Sequence, residues 1–206
     1  MTGRRPGGGG LIAFEGIDGC GKTTQARLLA ERLGVLLTFE PGATGLGSAL
    51  RAQLLEPHRS PVDERAEALL MAADRAQHVA EVIRPALEGG RWVVTDRFSA
   101  STLAYQGYGR GLALDDLTTL IEWAARGLAP DLTVLVEVPV SEASARRTGS
   151  AQDRFEVQGA EFQQRVADGY RQLVEEAATP WLVVDGTRSV DEVAADVWLG
   201  VRPFVP

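Results

Sequence analysis

The sequence predicts an α/β domain in which a five-stranded parallel sheet carries helices on both faces. Two observations indicate this fold. Short apolar runs alternate with longer segments of helical periodicity, which is the pattern of repeated strand–helix–strand units. The apolar runs are also continuous rather than alternating, as expected where both faces of a parallel sheet are covered. A chain of 206 residues has the size of one such domain.

The predicted elements follow one another in a regular order. The strands are predicted at residues 11–14, 35–39, 91–95, 132–138 and 181–184. The helices are predicted at residues 22–33, 47–55, 62–87, 114–126, 160–178 and 190–200. Gly34 is a suitable stop for the first helix, and Pro85 is expected to bend or end the third. In such a fold, ligands bind at the carboxyl ends of the strands.

Composition excludes several classes of function. The chain has 28 acidic and 21 basic residues, a net charge of −7, which argues against broad nucleic-acid or anionic-membrane binding. No apolar run approaches the ~18 residues that span a bilayer. Residues 1–10 have no apolar core of a secretory signal and are predicted as a flexible tail before one domain at 11–206. A single cysteine excludes an internal disulfide framework and fits the cytoplasm.

A phosphate-loop pattern lies between the first predicted strand and the first helix. Its glycines allow backbone N–H groups to surround an anion, and the start of the helix adds partial positive charge. The only lysine of the chain, Lys22, is predicted to reach the outer phosphates, and Thr23 to hold Mg²⁺. The predicted ATP-binding residues of this segment are Gly16, Ile17, Asp18, Gly19, Cys20, Gly21, Lys22, Thr23 and Thr24.

The rest of the chain distinguishes three classes of phosphate-loop protein. A GTPase needs an Asn-Lys-x-Asp motif, which is impossible here because asparagine is absent and the only lysine is already used. A motor-type ATPase usually has a strand that ends in Asp-Glu, and no predicted strand does. The third strand is followed by Asp96-Arg97. This pair suits a kinase, with Asp96 near Mg²⁺ and Arg97 on a second phosphate.

Five segments, in order, resemble those of the thymidylate kinase family. They are FEGIDGCGKTTQ at 14–25, EPGATGLGSALR at 40–51, MAADR at 71–75, DRFSASTLAYQGYGRG at 96–111 and DRFE at 153–156. The resemblance covers nearly the whole chain. It implies the P-loop nucleoside monophosphate kinase fold, the transfer of the γ-phosphoryl group of ATP to dTMP with Mg²⁺, and a homodimer formed through long helices, with the helix at 62–87 as the candidate.

The resemblance also implies a role for each matching residue. Arg75 should bond the thymine carbonyl, and Arg97 should grip the acceptor phosphate next to the carboxylate of Asp18. Tyr105 corresponds to the aromatic residue that packs by the sugar. The remaining residues of the predicted dTMP site are Glu40, Arg51, Met71, Ser101, Thr102 and Gln106.

The family places a catalytic arginine either in the phosphate loop or in the lid that closes over ATP. The position after Asp18 is Gly19, so the resemblance implies the lid arrangement, with a lid around 141–156. Arg146, Arg147 and Arg154 are the candidates, and Arg154 is the first choice because DRFE matches the family most closely. The predicted catalytic residues are therefore Lys22, Arg97, Arg154 and Asp18.

Departures from the family pattern leave alternatives open. Met71 replaces the phenylalanine that usually stacks on thymine, and Phe39 replaces the arginine that usually precedes Glu-Pro-Gly, so a contact is lost or moved to Arg51. A kinase for UMP or dUMP is the first alternative, and a non-catalytic nucleotide-binding protein is the second. Cys20 is either a reactive thiol at the helix N-terminus or a buried packing residue.

Overall fold

A computed structural model describes residues 8–55, 61–147, 155 and 158–205. Its strands are β1 (Leu11–Glu15), β2 (Leu36–Phe39), β3 (Val93–Asp96), β4 (Leu132–Glu137) and β5 (Trp181–Asp185). They form a parallel sheet in the order β2–β3–β1–β4–β5. The five predicted strands and their parallel arrangement are confirmed.

Helices cover the sheet and connect its strands. They are α1 (Lys22–Leu33), α2 (Gly45–Leu55), α3 (Glu64–His78), α4 (Arg84–Glu88), α5 (Ser99–Thr102), α6 (Leu114–Ala125), α7 (Val140–Arg146), α8 (Ala160–Glu175) and α9 (Val190–Val201). Among the described residues, none of these helices is long and apolar enough to cross a membrane.

The long helix predicted at 62–87 is interrupted near its end. It begins after Asp63, whose side chain accepts hydrogen bonds from the first turn, and runs as α3 to His78. A π-helical turn at Val79–Ile83 then leads into α4, where Pro85 lies in the first turn. Proline has no N–H for the regular helical bond and its ring crowds the preceding turn. The wider π turn relieves this conflict without ending the helical path.

Two helical segments lie where no helix was predicted. The polar segment after β3 forms α5 and a π-helical turn at Leu103–Gly109, and the segment after β4 forms α7. The predicted lid at 141–156 therefore begins in a helix, and residues 148–154 lie outside the described residues. Of the predicted tail, Gly9 and Gly10 are buried, and the Gly10 carbonyl accepts a hydrogen bond from Val93 N–H at 2.8 Å. These two glycines belong to the packed domain, because a Cβ at Gly9 would lie 2.5 Å from the Arg91 carbonyl oxygen.

The centre of the sheet fixes the location of the site. All five residues of β1 are buried, and β1 pairs with β3 on one side and β4 on the other. The carboxyl ends of β1 and β3 are therefore adjacent, and the loops that follow them meet above the sheet. This is the edge at which parallel α/β folds bind ligands.

Candidate active site

The phosphate loop connects β1 to α1 as the sequence predicts. Gly21 precedes α1 with φ of 96°, a conformation that glycine adopts readily, and Lys22 is the first residue of the helix. Lys22 is buried, and its Nζ donates to the Ile17 carbonyl at 3.4 Å and to Asp18 Oδ1 at 3.3 Å. The ammonium group thus lies across the loop, at the N-terminus of the helix where anions are favoured.

Gly19 in this loop has no room for a side chain. A Cβ built there would lie 2.4 Å from the Ala143 carbonyl oxygen and 3.1 Å from Arg147 Cγ. Helix α7 therefore packs directly on the loop at the position where one class of the family has an arginine. This packing is consistent with the expectation that the loop supplies no catalytic arginine.

Arg146 and Arg147 are the lid arginines predicted to bind ATP, and both lie next to the phosphate loop. Arg146 donates to the carbonyl oxygens of Gly186 at 2.8 Å and Cys20 at 3.4 Å, which ties the end of α7 to the phosphate loop. It is also paired with Glu142 at 2.5 Å. Arg147 approaches Gly19 on the same side. Arg154, the first choice for the catalytic arginine, lies outside the described residues.

Thr23 and Asp96, the two residues predicted to hold Mg²⁺, are in contact with each other. The Thr23 hydroxyl donates to Asp96 Oδ2 at 2.5 Å, and Asp96 Oδ1 is buried without a hydrogen-bond partner among the described residues. Mg²⁺ prefers oxygen ligands and is usually bound by one or two carboxylates together with substrate phosphates. An unpaired carboxylate oxygen beside a hydroxyl fits this ion, although the described part of the chain has no group of three or more His, Cys, Asp or Glu residues for a metal.

Arg97 lies at the carboxyl end of β3 and faces the phosphate loop. Its backbone has φ of 72°, a left-handed conformation that non-glycine residues seldom adopt, and its N–H bonds the Phe14 carbonyl at 2.8 Å. The guanidinium donates to the Gly16 carbonyl at 3.1 Å and forms an ion pair with Asp18. It also donates to Tyr105 Oη at 3.1 Å.

The surroundings of Asp18 determine its charge. Burial by itself would raise the pKa of this carboxyl, but the charges of Arg97 and Lys22 and the hydroxyl of Tyr105 hold the pKa well below its usual range. Tyr105 donates to Asp18 Oδ2 at 2.8 Å. Asp18 is therefore an anion that links the two cations of the site.

One pocket brings together all ten residues predicted to bind the acceptor. It is a cleft that is partly open to solvent and is lined by both charged and apolar side chains. The ten are Asp18, Glu40, Arg51, Met71, Arg75, Arg97, Ser101, Thr102, Tyr105 and Gln106. Sequence reasoning missed four further lining residues, Pro41, Leu55, Asp74 and Phe155.

Arg75 is the last residue of α3 that lines this pocket. It is buried, with Nε 2.9 Å from Glu40 Oε2, Nη1 2.9 Å from Thr102 Oγ1 and Nη2 2.9 Å from the Phe98 carbonyl. Glu40 is held in turn by His78 Nδ1 at 2.9 Å. The guanidinium is thus fixed in position by α3, the segment after β2, and α5.

Arg51 also lines the pocket, next to the start of the EPGATG segment. Its Nη1 donates to the Pro41 carbonyl at 2.7 Å, and its guanidinium lies 6.0 Å from the centre of the Phe39 ring. Arg51 therefore lines the pocket close to Phe39, which stands where the family usually has arginine. The inference that Arg51 replaces that contact stays a prediction.

A buried carboxylate at the end of β1 was missed by sequence reasoning. Glu15 accepts hydrogen bonds from Phe98 N at 2.9 Å, Ser101 N at 3.2 Å, Ser101 Oγ at 2.5 Å and Tyr170 Oη at 3.0 Å. Burial raises its pKa above the ordinary value. The signal available in the sequence was a lone acidic residue that directly follows an apolar strand and precedes the glycine loop.

Cys20 is a packing residue rather than a reactive thiol. Its side chain is buried, and burial raises the pKa of the thiol despite the nearby charge of Lys22. The alternative of a reactive thiolate is therefore wrong. The reason is that the thiol packs beneath the loop, where a Cβ at Gly16 would lie only 2.8 Å from Cys20 Sγ.

The chain is similar to one family of proteins along most of its length. A model of the family described as thymidylate kinase matches residues 14–197. A thymidylate kinase of Prochlorococcus marinus (strain MIT 9313) is 53% identical over 179 residues, which cover 82% of this chain and 83% of the relative. One from Cupriavidus metallidurans is 50% identical over 181 residues, covering 85% of this chain and 89% of the relative. The crystal structure of thymidylate kinase from Ehrlichia chaffeensis superposes with a TM-score of 0.75 at 32% identity, covering 92% of this chain and 97% of that one.

Proposed function

The chain belongs to the thymidylate kinase family, and we propose that it transfers the γ-phosphoryl group of ATP to the phosphate of dTMP, giving dTDP. It is a nucleoside monophosphate kinase with the P-loop fold of that class. The observation that carries the proposal is the convergence of ten residues in one pocket beside the phosphate loop. The relatives do not favour the alternative of a kinase for UMP or dUMP.

The donor nucleotide is proposed to bind along the phosphate loop. The backbone N–H groups of Gly16–Thr24 face the phosphates in this proposal, and the N-terminus of α1 adds its partial positive charge. Lys22 contributes its ammonium to the outer phosphates. Arg146 and Arg147 lie at the end of α7 next to the loop, and they are proposed to contact the bound nucleotide.

The metal site proposed for Mg²⁺ is formed by Thr23 and Asp96. One oxygen of the Asp96 carboxylate has no partner in the part of the chain that the structure describes, so it can face the ion or one of its water molecules, and the Thr23 hydroxyl is within hydrogen-bond distance of the other oxygen. When bound, Mg²⁺ neutralises charge on the phosphates of ATP. Removing either side chain should raise the Mg²⁺ concentration that activity requires.

The acceptor is proposed to lie in the pocket with its phosphate toward Arg97 and its base toward Arg75. Thr102 and Gln106 line the pocket beside Arg75 and are the proposed contacts of the base edge. Met71 is proposed to lie on the face of the base, since a thioether packs well on aromatic rings. Tyr105 stands between the two ends, where its ring packs edge-on against Phe155 at 5.7 Å.

The proposed chemistry needs charge and positioning rather than a general base. The attacking oxygen belongs to a phosphate that is already anionic near neutral pH, so no side chain has to remove its proton. Catalysis then depends on bringing two polyanions together. Lys22 and Arg97 both contact Oδ1 of Asp18, so the two cations lie close together and are proposed to neutralise the donor and the acceptor. Arg154 is proposed to add a further cation from the lid.

We further propose a cytoplasmic homodimer. Two large apolar side chains, Leu69 on α3 and Trp123 on α6, are 58% and 80% exposed, and these two helices pack against each other. Large exposed apolar side chains on adjacent helices are suited to association with a second copy of the chain. Sedimentation velocity of the wild type and of a Leu69→Glu, Trp123→Glu variant tests this. A wild-type monomer would contradict it.

The function is tested by a coupled assay with ATP and Mg²⁺ and a panel of acceptors: dTMP, dUMP, UMP, dCMP and AMP. The expected result is the highest kcat/KM with dTMP. Faster turnover of UMP or dUMP would favour the alternative kinase. Absence of ADP formation with every acceptor, by a folded protein, would favour the non-catalytic alternative.

A further inference from the structure

The buried carboxylate of Glu67, which is not among the proposed substrate contacts, accepts a hydrogen bond from the pocket residue Gln106. Glu67 on α3 has no exposed surface. Its Oε1 accepts from Gln106 Nε2 at 2.9 Å, and Arg110 donates to Oε2 from Nη2 at 3.0 Å. None of the roles proposed above uses Glu67. Its contacts nevertheless reach the pocket, because Gln106 lines it.

The chemistry of this contact fixes the orientation of the Gln106 amide. Glu67 is paired with the guanidinium of Arg110 and can only accept hydrogen bonds, so the amide must turn its nitrogen toward it. The opposite orientation would place the amide oxygen against the carboxylate. Both side chains are buried, so this repulsion would be strong and water would not relieve it.

An amide held in one orientation is selective toward the edge of a pyrimidine. Thymine and uracil present a donor at N3 and an acceptor at O4, whereas cytosine presents an acceptor at N3 and a donor at N4. An amide that cannot rotate matches only one of these patterns. Arg75, in the same pocket, offers donors only, so the two side chains together favour a base with an acceptor at position 4.

We propose that Glu67 is a positioning residue that determines base specificity, because it holds the Gln106 amide in the orientation that accepts a 4-oxo pyrimidine and rejects cytosine. This inference rests on the proposed function, since it assumes that the base lies in this pocket. It predicts that the carboxylate acts through Gln106 and that loss of the carboxylate changes selectivity rather than catalysis in general.

The test is the ratio of kcat/KM for dTMP to that for dCMP in the wild type and in Glu67→Gln. A glutamine at position 67 can donate as well as accept, so the Gln106 amide becomes free to rotate. The ratio should fall by about tenfold or more, in line with the discrimination that one paired amide provides. The ratio of dTMP to dUMP should stay unchanged, because these two bases share the same edge. A general structural defect would instead lower kcat/KM for all three acceptors by a similar factor.

Two further variants keep the test decisive. Arg110→Lys keeps a cation beside the carboxylate, which still accepts from Gln106, so the dTMP to dCMP ratio of this variant should match the wild type. If Glu67→Gln does not fold, the double variant Glu67→Gln, Arg110→Gln removes both charges together and leaves no unpaired buried ion. Wild-type activity on dTMP with an unchanged ratio in the folded variant would overturn this inference alone. A wild type inactive on dTMP would overturn the proposed function and this inference with it.

Discussion

The guanidinium of Arg97 is ion-paired with the carboxylate of Asp18, so the end of β3 is joined to the phosphate loop that follows β1. The backbone of Arg97 adopts a left-handed conformation to make this contact. Such conformations cost energy in residues with a side chain and are found at functional sites. The position of Arg97 is therefore consistent with a role in holding a phosphate beside the loop.

Removing either cation of the site should impair the reaction severely. For Lys22→Ala and Arg97→Ala we expect kcat/KM to fall by ~10²-fold or more, since charge-assisted phosphate contacts are among the strongest hydrogen bonds in proteins. Steady-state kinetics with ATP and dTMP measures the effect. Arg27→Ala is a suitable control, because Arg27 is exposed and, within the described ranges, is paired only with Glu31 on the same helix. A folded Arg97→Ala enzyme with full activity would exclude the assigned role.

The base pocket should accept an aromatic side chain in place of Met71. Aromatic stacking on a base contributes about 1 to 3 kcal/mol, so Met71→Phe should keep its activity and bind dTMP more tightly. Titration calorimetry with dTMP gives the affinity. Weaker binding would mean that the phenylalanine ring does not fit in the pocket that Met71 lines together with Leu55 and Arg75.

The catalytic lid arginine should be recognisable by its kinetics. If Arg154 acts mainly in the transition state, Arg154→Ala should lower kcat and leave the affinity for ATP nearly unchanged. Arg146→Ala should behave differently, because Arg146 bonds two carbonyl oxygens next to the phosphate loop and its loss should loosen α7. Arg147→Ala completes the series. Near-normal kcat in all three variants would contradict the lid arrangement.

The sequence was sufficient for the sheet and for most of the pocket, because both depend on local patterns. Continuous apolar runs identified the strands. The short segments that resemble the family identified the pocket side chains, which the ends of β1, β3 and α3 bring together. Glu15 and Asp74 were missed because their importance comes from burial by distant segments. Glu15, for example, is held by Ser101 and Tyr170, which are far from it in the chain.

The helical segments after β3 and β4 were missed for a related reason. Both segments contain many polar residues and show no clear apolar periodicity. The π-helical turn at Leu103–Gly109 also contains Gly107 and Gly109, and glycine has a low helix propensity. The glycines are required by packing, since a Cβ at Gly109 would lie 2.8 Å from the ring of Phe162. Contact with α8 therefore decides the structure of this segment, and local propensity does not.

The carboxyl of Asp74 should make the stability of the protein depend on pH. Its Oδ1 accepts from Gly42 N at 3.0 Å, whereas Oδ2 is buried without a hydrogen-bond partner among the described residues. Burial, together with the charge of Glu40, raises its pKa to about 6. The folded state therefore holds this proton more tightly than the unfolded state does. The resulting stabilisation is present below about pH 4 and is lost as the pH rises through about 6.

Replacement by asparagine should remove this pH dependence. The free energy of unfolding of Asp74→Asn, minus that of the wild type, should increase by roughly 1 to 3 kcal/mol between pH 4 and pH 7.5. Urea denaturation at several pH values measures the difference. Asp63→Asn is a control that should show almost no change over this range, because backbone hydrogen bonds from Arg65 and Ala66 lower the pKa of Asp63, so its contribution is lost only as the pH falls below about 4. A difference between Asp74→Asn and wild type that stays constant across this range would show that Asp74 keeps an ordinary pKa in the folded protein.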